Sequence, residues 1–138
     1  MSAAAVKAPV LRRFQRPWLW LSLWLALFVL IAAGSLMPTD DLPPIDISGF
    51  DKVQHFLGYA ALSTGAVLLF VRLRSQALAA LGIIAFGIGI EFAQAGLTPD
   101  RMGDAADVLA NTLGVLAGLL LSATPVAGWL QRLDARLP

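Results

Sequence analysis

The stretch "DRMGDAADVLANTLGVLAG" at residues 100–118 decides the fold of this chain. Its apolar residues suit a helix that crosses a membrane, yet it also carries acidic and amide side chains. At 100° per residue, Asp104, Asp107 and Asn111 fall with Gly114 and Gly118 in one stripe about 80° wide. Because the two glycines form a GxxxG pair that lets another helix approach closely, the stripe must face protein rather than lipid. The stretch therefore predicts a membrane helix whose polar side packs inside a bundle.

The composition of the whole chain is that of an integral membrane protein. Of its 138 residues, 58% are hydrophobic and 14% are charged, and the mean hydropathy is +0.75. Four apolar stretches each approach the roughly 20 residues that cross a hydrocarbon core. The first could also be a cleaved signal peptide, but it is long for one. We predict one all-α, polytopic domain over residues 1–138, a compact bundle with transmembrane helices at residues 18–37, 52–71, 77–95 and 104–123.

The charges of the chain predict its orientation. Eight of the ten lysines and arginines lie at the two ends of the chain or between helices 2 and 3. Since such residues stay on the cytoplasmic side, we expect both termini in the cytoplasm. Residues 126–137 place apolar side chains opposite Arg132, Asp134 and Arg136, which predicts an amphipathic tail in the cytoplasmic interface. The charge pattern gives no support for nucleic-acid binding, and the absence of cysteine excludes thiolate chemistry.

Two further helices carry polar stripes at the same predicted depth, in the outer half of the bilayer. Helix 3 places Gly87, Glu91 and Gln94 within an arc of about 60°. Helix 2 places four polar residues within an arc of about 100°: Asp51, Lys52, His55 and Tyr59. The antiparallel order of the helices predicts that the three stripes meet.

Helix capping explains part of this pattern. Residues 48–51 fit a capping box, and Asp104 fits an N-cap followed by Asp107 in the first turn. Capping does not explain Glu91, whose charge opposes the dipole at the end of helix 3, or Asn111 inside helix 4. An unpaired acid in a membrane costs about 2.5 to 3.5 kcal/mol on insertion scales. Glu91 therefore requires a partner, for which the candidates are Lys52, His55 and Arg101.

Three blocks of sequence lie in order in helices 2 to 4: "DKVQHFLGYAAL" at 51–62, "EFAQ" at 91–94 and "PDRMGDAADVLANTLGVLAG" at 99–118. They resemble the DKxxHxxxY, ExxQ and RxxxxxDxxxNxxG patterns of the VanZ-like membrane proteins. Asp100 stands where a glycine is common, and helix 1 carries no motif. The resemblance implies a multi-pass protein of the bacterial cytoplasmic (inner) membrane, in a family named for a glycopeptide resistance factor that raises teicoplanin tolerance, without implying a known reaction.

The predicted site is an outward-facing polar pocket, and our first hypothesis is that it binds an anionic membrane lipid or lipid-linked cell-wall precursor. Basic groups suit a phosphate, and carboxylates and amides suit sugar or peptide groups. The candidate binding residues are Asp51, Lys52, Tyr59, Gln94, Arg101, Asp104 and Asn111.

The alternatives belong to other classes of protein. A membrane-embedded hydrolase or transferase would use Glu91 or Asp107 as general base and His55 as acid. Proton or ion coupling is a third class, and a polar core that only fixes packing or binds a partner is a fourth. A metal site could use His55, Glu91, Asp104 and Asp107, but one histidine with carboxylates and a competing lysine makes a poor zinc site, so we expect no cofactor and no metal.

Overall fold

The structure is a computed structural model that describes residues 9–38, 48–98 and 103–138. These residues are 80% helical. An isolated bridge between Leu11 and Phe70 is the one β-type pairing among them. The helices are α1 (Pro17–Leu36), α2 (Phe50–Leu69), α3 (Leu73–Leu97), α4 (Ala105–Leu120) and α5 (Trp129–Asp134). The predicted all-α class is confirmed.

The ends of α1 and α2 follow from proline and glycine. Pro17 occupies the first turn of α1, where its missing N–H costs nothing. Met37 ends the helix in an extended conformation because Pro38 follows it. α2 follows Gly49, whose φ of 77° lies in the left-handed region, and no side chain caps the helix. The capping box predicted for residues 48–51 is therefore wrong.

α4 begins as its sequence predicts. The side chain of Asp104 accepts a hydrogen bond of 2.8 Å from the backbone N–H of Ala106, and Asp107 lies in the first turn. The other bounds move by a few residues. The turn between α2 and α3 is shorter than predicted, so α3 begins at Leu73 rather than at residue 77. α4 ends at Leu120 and continues as the 3₁₀ turn Leu121–Ala123.

Two glycines of α4 bring its backbone against that of α2. A Cβ added to Gly118 would lie 2.6 Å from the carbonyl oxygen of Ala60, and one added to Gly114 would overlap the carbonyl oxygen of Phe56. The close approach predicted from the GxxxG pair is confirmed. Its consequence is that the polar stripe of α4 is held directly against α2.

Membrane-spanning character is clear for three of the described helices. Pro17–Leu36, Leu73–Leu97 and Ala105–Ala123 are long and apolar enough to cross a membrane, and the large apolar side chains of α1 are exposed, Trp18 by 78%. The predicted membrane character is confirmed. α2 is as long as α1, but its first turns are polar and its second half is largely buried among the other helices. Its role as a fourth span stays a prediction.

Aromatic side chains hold α1 onto the bundle. The buried core comprises Tyr59, Leu62, Ala80, Ile83 and Val115. Trp24 of α1 donates to the carbonyl oxygen of Leu62 at 2.9 Å and lies over Gly65. Phe28 packs edge-on against Phe86 of α3, with their ring centroids 5.1 Å apart.

Both ends of the chain pack against one end of the bundle. The segment before α1 pairs with the turn between α2 and α3 through backbone hydrogen bonds of 2.9 Å. The carboxyl-terminal segment forms the 3₁₀ turn Pro125–Gly128 and then α5. Asp134 of α5 is 1% exposed and accepts from the indole N–H of Trp20 at 2.8 Å. Its predicted place on the polar face of an amphipathic tail is wrong, because a partner in α1 draws it inward.

Candidate functional site

Polar side chains from three helices meet at the other end of the bundle. α2 and α4 begin there and α3 ends there, so the predicted convergence of the three stripes is confirmed for the residues that the structure describes. We call this group the polar cluster. Its members are Asp51, Lys52, His55, Tyr59, Glu91, Gln94, Asp104, Asp107 and Asn111. Arg101, also predicted for the site, lies outside the described residues.

Lys52 joins the first turns of α2 and α4. Its ammonium Nζ lies 3.1 Å from Asp51 Oδ2, 3.0 Å from Asp104 Oδ2 and 2.9 Å from Asp107 Oδ1. The N–H of Ala106 and the Lys52 ammonium hold the pKa of Asp104 below its ordinary value. The side chain of Lys52 is 39% exposed, so this group lies at the mouth of the polar cluster.

His55 and Asn111 lie one step deeper. The imidazole Nδ1 is 3.0 Å from Asn111 Oδ1. Because that oxygen can only accept, Nδ1 carries the proton in this pairing. The other nitrogen, Nε2, then presents its lone pair when the ring is neutral. It lies 3.7 Å from Asp107 Oδ2, beyond hydrogen-bond distance.

Glu91 is the buried acid of the polar cluster, with 6% of its surface exposed. Its Oε2 accepts from the backbone N–H of Asp104 at 2.9 Å, and its Oε1 has no hydrogen-bond partner among the described residues. Of the three candidate partners, Lys52 contacts the carboxylates of α2 and α4 instead. A pairing with Arg101 stays a prediction.

Further polar groups surround Glu91. Tyr59 and Asn111 are 1% and 2% exposed, and in the part of the chain that the structure describes, the hydroxyl of Tyr59 and Nδ2 of Asn111 have no hydrogen-bond partner. Both approach Gly87, where an added Cβ would lie 2.9 Å from the Tyr59 ring and 3.2 Å from Asn111 Nδ2. The absence of a side chain at Gly87 therefore admits two polar groups to the bundle interior.

The family of the chain follows from its sequence as a whole. Residues 11–126 match the profile of the VanZ/LLP1 family, a range that contains the entire polar cluster. The chain belongs to the VanZ/LLP1 family. Neither a curated protein nor a solved structure matches it. The resemblance carried by the three sequence blocks is thus confirmed.

In this VanZ/LLP1 protein, two contacts of the site involve residues that sequence patterns did not single out. Gln94 donates to the carbonyl oxygen of Ser35 at 2.8 Å, which joins the ends of α3 and α1. Gly103 lies against the backbone of Glu91, where an added Cβ would be 3.0 Å from the Glu91 carbonyl oxygen. Gly103 directly precedes Asp104, the N-cap of α4. A glycine at this position was the signal in the sequence that the backbone here approaches another helix.

Among the described residues, the polar cluster has more hydrogen-bond acceptors than positively charged groups. Among the described residues, the polar cluster has four carboxylates and one lysine. Three of the carboxylates contact that lysine, and the fourth, Glu91, has an oxygen without a partner there. Carboxylate oxygens accept from hydroxyl, amide and ammonium groups and ligate cations. The polar cluster is therefore suited to a ligand that carries such groups.

Proposed function

We propose that the polar cluster binds the headgroup of an envelope lipid or a lipid-linked cell-wall precursor, which the protein holds, moves or modifies. The supporting observation is a gradient of exposure. The side chain of Asp104 is 47% exposed, that of Asp107 is 13% exposed, and Glu91 is 6% exposed as a residue. A charged mouth thus leads to a buried polar interior, while the outer helix surfaces are apolar. Lipid headgroups and their chains require these two environments side by side.

Different residues of the polar cluster would bind different parts of such a headgroup. Hydroxyl and amide groups of a sugar or peptide suit the free oxygen of Glu91 and the carboxylate of Asp107. Lys52 lies at the mouth of the polar cluster. Among the described residues, it is the cation that an anionic phosphate would contact first. Arg101 is proposed as a second phosphate ligand on the basis of its position in the sequence.

We place this site at the outer face of a bacterial inner membrane, in a bundle of four spans with both termini in the cytoplasm. The distribution of arginine and lysine supports this orientation, as does the packing of both chain ends at the end of the bundle opposite the polar cluster. Reporter fusions should show Arg74 and the carboxyl terminus to be cytoplasmic and residue 46 to be periplasmic. A periplasmic reporter signal at Arg74 would overturn the orientation.

The test of headgroup binding is the lipid that accompanies the purified protein. We expect mass spectrometry of the detergent-solubilised protein to find an envelope lipid on the wild type. That lipid should be missing from Glu91→Gln, which keeps the shape of the side chain and removes its charge. Asp134→Asn is the matched control, because it changes a buried carboxylate at the other end of the bundle. Equal lipid content in all three proteins would contradict the proposal.

A second candidate function is hydrolysis or transfer of the headgroup. Two observations favour it. Oε1 of Glu91 has no hydrogen-bond partner among the described residues, and one oxygen of Glu91 lies within 4.8 Å of ligand atoms of His55 and Asp107. Glu91 or Asp107 would take a proton from the attacking hydroxyl or water, and His55 would return one to the leaving group. Release of a headgroup from the copurified lipid by wild type but not by His55→Gln would favour the enzyme over the binder.

The family name suggests a physiological setting for either activity. An envelope lipid or cell-wall precursor that is held or altered at the outer face would change how a glycopeptide reaches its target. We therefore propose a role in teicoplanin-type tolerance or in envelope maintenance, measured as susceptibility of cells with and without the gene.

A further inference from the structure

Three side chains of the polar cluster are arranged as a set of metal ligands. His55, Glu91 and Asp107 come from α2, α3 and α4, and one ligand atom of each lies within 4.8 Å of the other two. Because the three helices are fixed by their packing, the group is assembled by the fold and not by one flexible loop. Proteins build metal sites in helix bundles in the same way, from side chains on facing helices.

The distance between His55 and Asp107 fits a shared ion better than a direct contact. His55 Nε2 and Asp107 Oδ2 lie 3.7 Å apart, too far for a hydrogen bond. Two ligand atoms that are each about 2.1 Å from one ion lie about 3.0 to 4.2 Å apart, according to the angle between the bonds. The observed separation falls inside this range.

Glu91 supplies an independent sign of a bound ligand. The residue is 6% exposed, and its Oε1 has no hydrogen-bond partner within residues 9–38, 48–98 and 103–138. A buried carboxylate oxygen without a donor is unfavourable, and native proteins rarely leave one unsatisfied. A cation among the three side chains would satisfy it.

Each of the three side chains also has an outer partner that orients it. Asn111 Oδ1 accepts from His55 Nδ1 at 3.0 Å, which leaves Nε2 free to ligate. The N–H of Asp104 binds Glu91 Oε2 at 2.9 Å. Lys52 binds Asp107 Oδ1 at 2.9 Å and leaves Oδ2 toward His55. Metal ligands in proteins are held by hydrogen bonds of this kind.

We propose that His55, Glu91 and Asp107 bind a divalent first-row transition ion. The expectation of no metal, drawn from the sequence, rested on one histidine among carboxylates being a poor zinc site and on competition from Lys52. The first ground applies to zinc and not to a more oxygen-seeking ion, and the lysine contacts Oδ1 of Asp107 rather than the oxygen nearer His55. One imidazole nitrogen and two carboxylates suit Mn²⁺ better than Mg²⁺, which prefers oxygen ligands alone.

Such an ion would change what the polar cluster can recognise. It would offset the charge of two carboxylates and, with three protein ligands, keep positions open for oxygens of water or of a ligand. A phosphate oxygen is the ligand class that such an open position accepts. The ion site itself stands on the geometry of the three side chains and does not require that a lipid be bound.

The test uses the full chain in detergent, stripped of metal with a chelator and titrated with Mn²⁺ while the free ion is followed by electron paramagnetic resonance. We expect one Mn²⁺ per chain, and at least tenfold weaker binding in Glu91→Gln and in Asp107→Asn. Asp134→Asn should bind as the wild type does. Mg²⁺ should bind at least tenfold more weakly than Mn²⁺.

No Mn²⁺ binding by the wild type at millimolar ion, unchanged affinity in both ligand variants, or equal affinity for Mg²⁺ would overturn the site. Should a ligand variant fail to fold, the melting temperature of the wild type decides, because an ion that binds the folded state must raise it. Lipid retention without Mn²⁺ binding would overturn the ion site and leave headgroup binding intact, and the reverse result would overturn headgroup binding alone.

Discussion

Two buried carboxylates at opposite ends of the bundle differ in how many of their oxygens are hydrogen-bonded. Asp134 is 1% exposed, and both of its oxygens are hydrogen-bonded, Oδ1 to the indole of Trp20 and Oδ2 to the backbone N–H of Gln15. Glu91 is 6% exposed, and only one of its oxygens has a hydrogen-bond partner among the described residues. We call Asp134 with Trp20 and Gln15 the terminal contact.

The difference separates a structural role from a binding role. A carboxylate whose acceptors are all used stabilises the fold and has nothing left to offer a ligand. Glu91 is held through one oxygen, and its other oxygen has no partner among the described residues, so it retains an acceptor for a ligand. The terminal contact therefore holds α5 to α1, whereas the polar cluster has the free acceptor that our proposals require.

The largest effect is expected from separating α2 and α4, on which the polar cluster depends. Gly114→Leu would force a side chain into the backbone of α2 at Phe56. Backbone cannot move aside as a flexible side chain can, so we expect a loss of about 3 kcal/mol or more of stability and little folded protein. Gly89→Leu is the control, since an added Cβ there meets nothing within 4 Å. Equal melting temperatures in detergent for the two variants would show that the helices are not in close contact.

A smaller loss of stability is expected from breaking the terminal contact, and the size of that loss should depend on pH. Burial opposes ionisation of Asp134, but the N–H groups of Trp20 and Gln15 outweigh it and lower its pKa. A lowered pKa in the folded state means stabilisation that is present above the ordinary carboxyl pKa and is lost as the pH falls through the lowered value. We expect Asp134→Asn to melt below the wild type at pH 7, and the gap to close in acid.

Trp20→Phe provides the partner variant for this prediction. It removes the indole donor and keeps an aromatic ring, so it should reproduce part of the loss, and the double variant should lose less than the sum of the two. If the difference in melting temperature between wild type and Asp134→Asn is the same at pH 7 and in acid, the loss of stability does not come from the charge of this carboxylate.

The smallest effect is expected at Lys52, because its side chain is 39% exposed and solvent screens its ion pairs. Lys52→Gln leaves Asp51, Asp104 and Asp107 without their common partner and should lower the melting temperature slightly. The double variant Lys52→Gln/Asp104→Asn should regain part of the loss. High salt should shrink the effect, and a salt-independent loss would show that Lys52 acts through packing instead of charge.

The polar cluster could be predicted from the sequence because helical periodicity fixes which side chains share a face. The stripes of Glu91 and of Asp107 are set by spacing within one helix, and antiparallel order brings the helix ends together. The close contact at Gly114 and the N-cap at Asp104 follow from local patterns in the same way.

Contacts between distant segments could not be predicted in this way. Asp134 and Trp20 are 114 residues apart in the chain, and no periodicity relates them. Among the described residues, the hydrogen-bond partner of Glu91 is a backbone N–H, which every residue except proline carries, so residue types gave no signal for it. The spacing of charges located the site and its face, whereas the choice of partner atom depends on how the helices pack.

The most direct measurement compares Glu91→Gln with Asp134→Asn for melting temperature in detergent and for envelope-stress or teicoplanin susceptibility per folded protein. With both proteins stripped of metal by a chelator, we predict that Glu91→Gln melts at or above the wild-type temperature, because the amide keeps an acceptor for the Asp104 N–H and removes a charge that has no ionic partner among the described residues, and that it loses the phenotype. Asp134→Asn should melt lower and keep the phenotype for each folded molecule. A destabilised Glu91→Gln whose phenotype falls only with its folded fraction would contradict the account and make the polar cluster part of the packing.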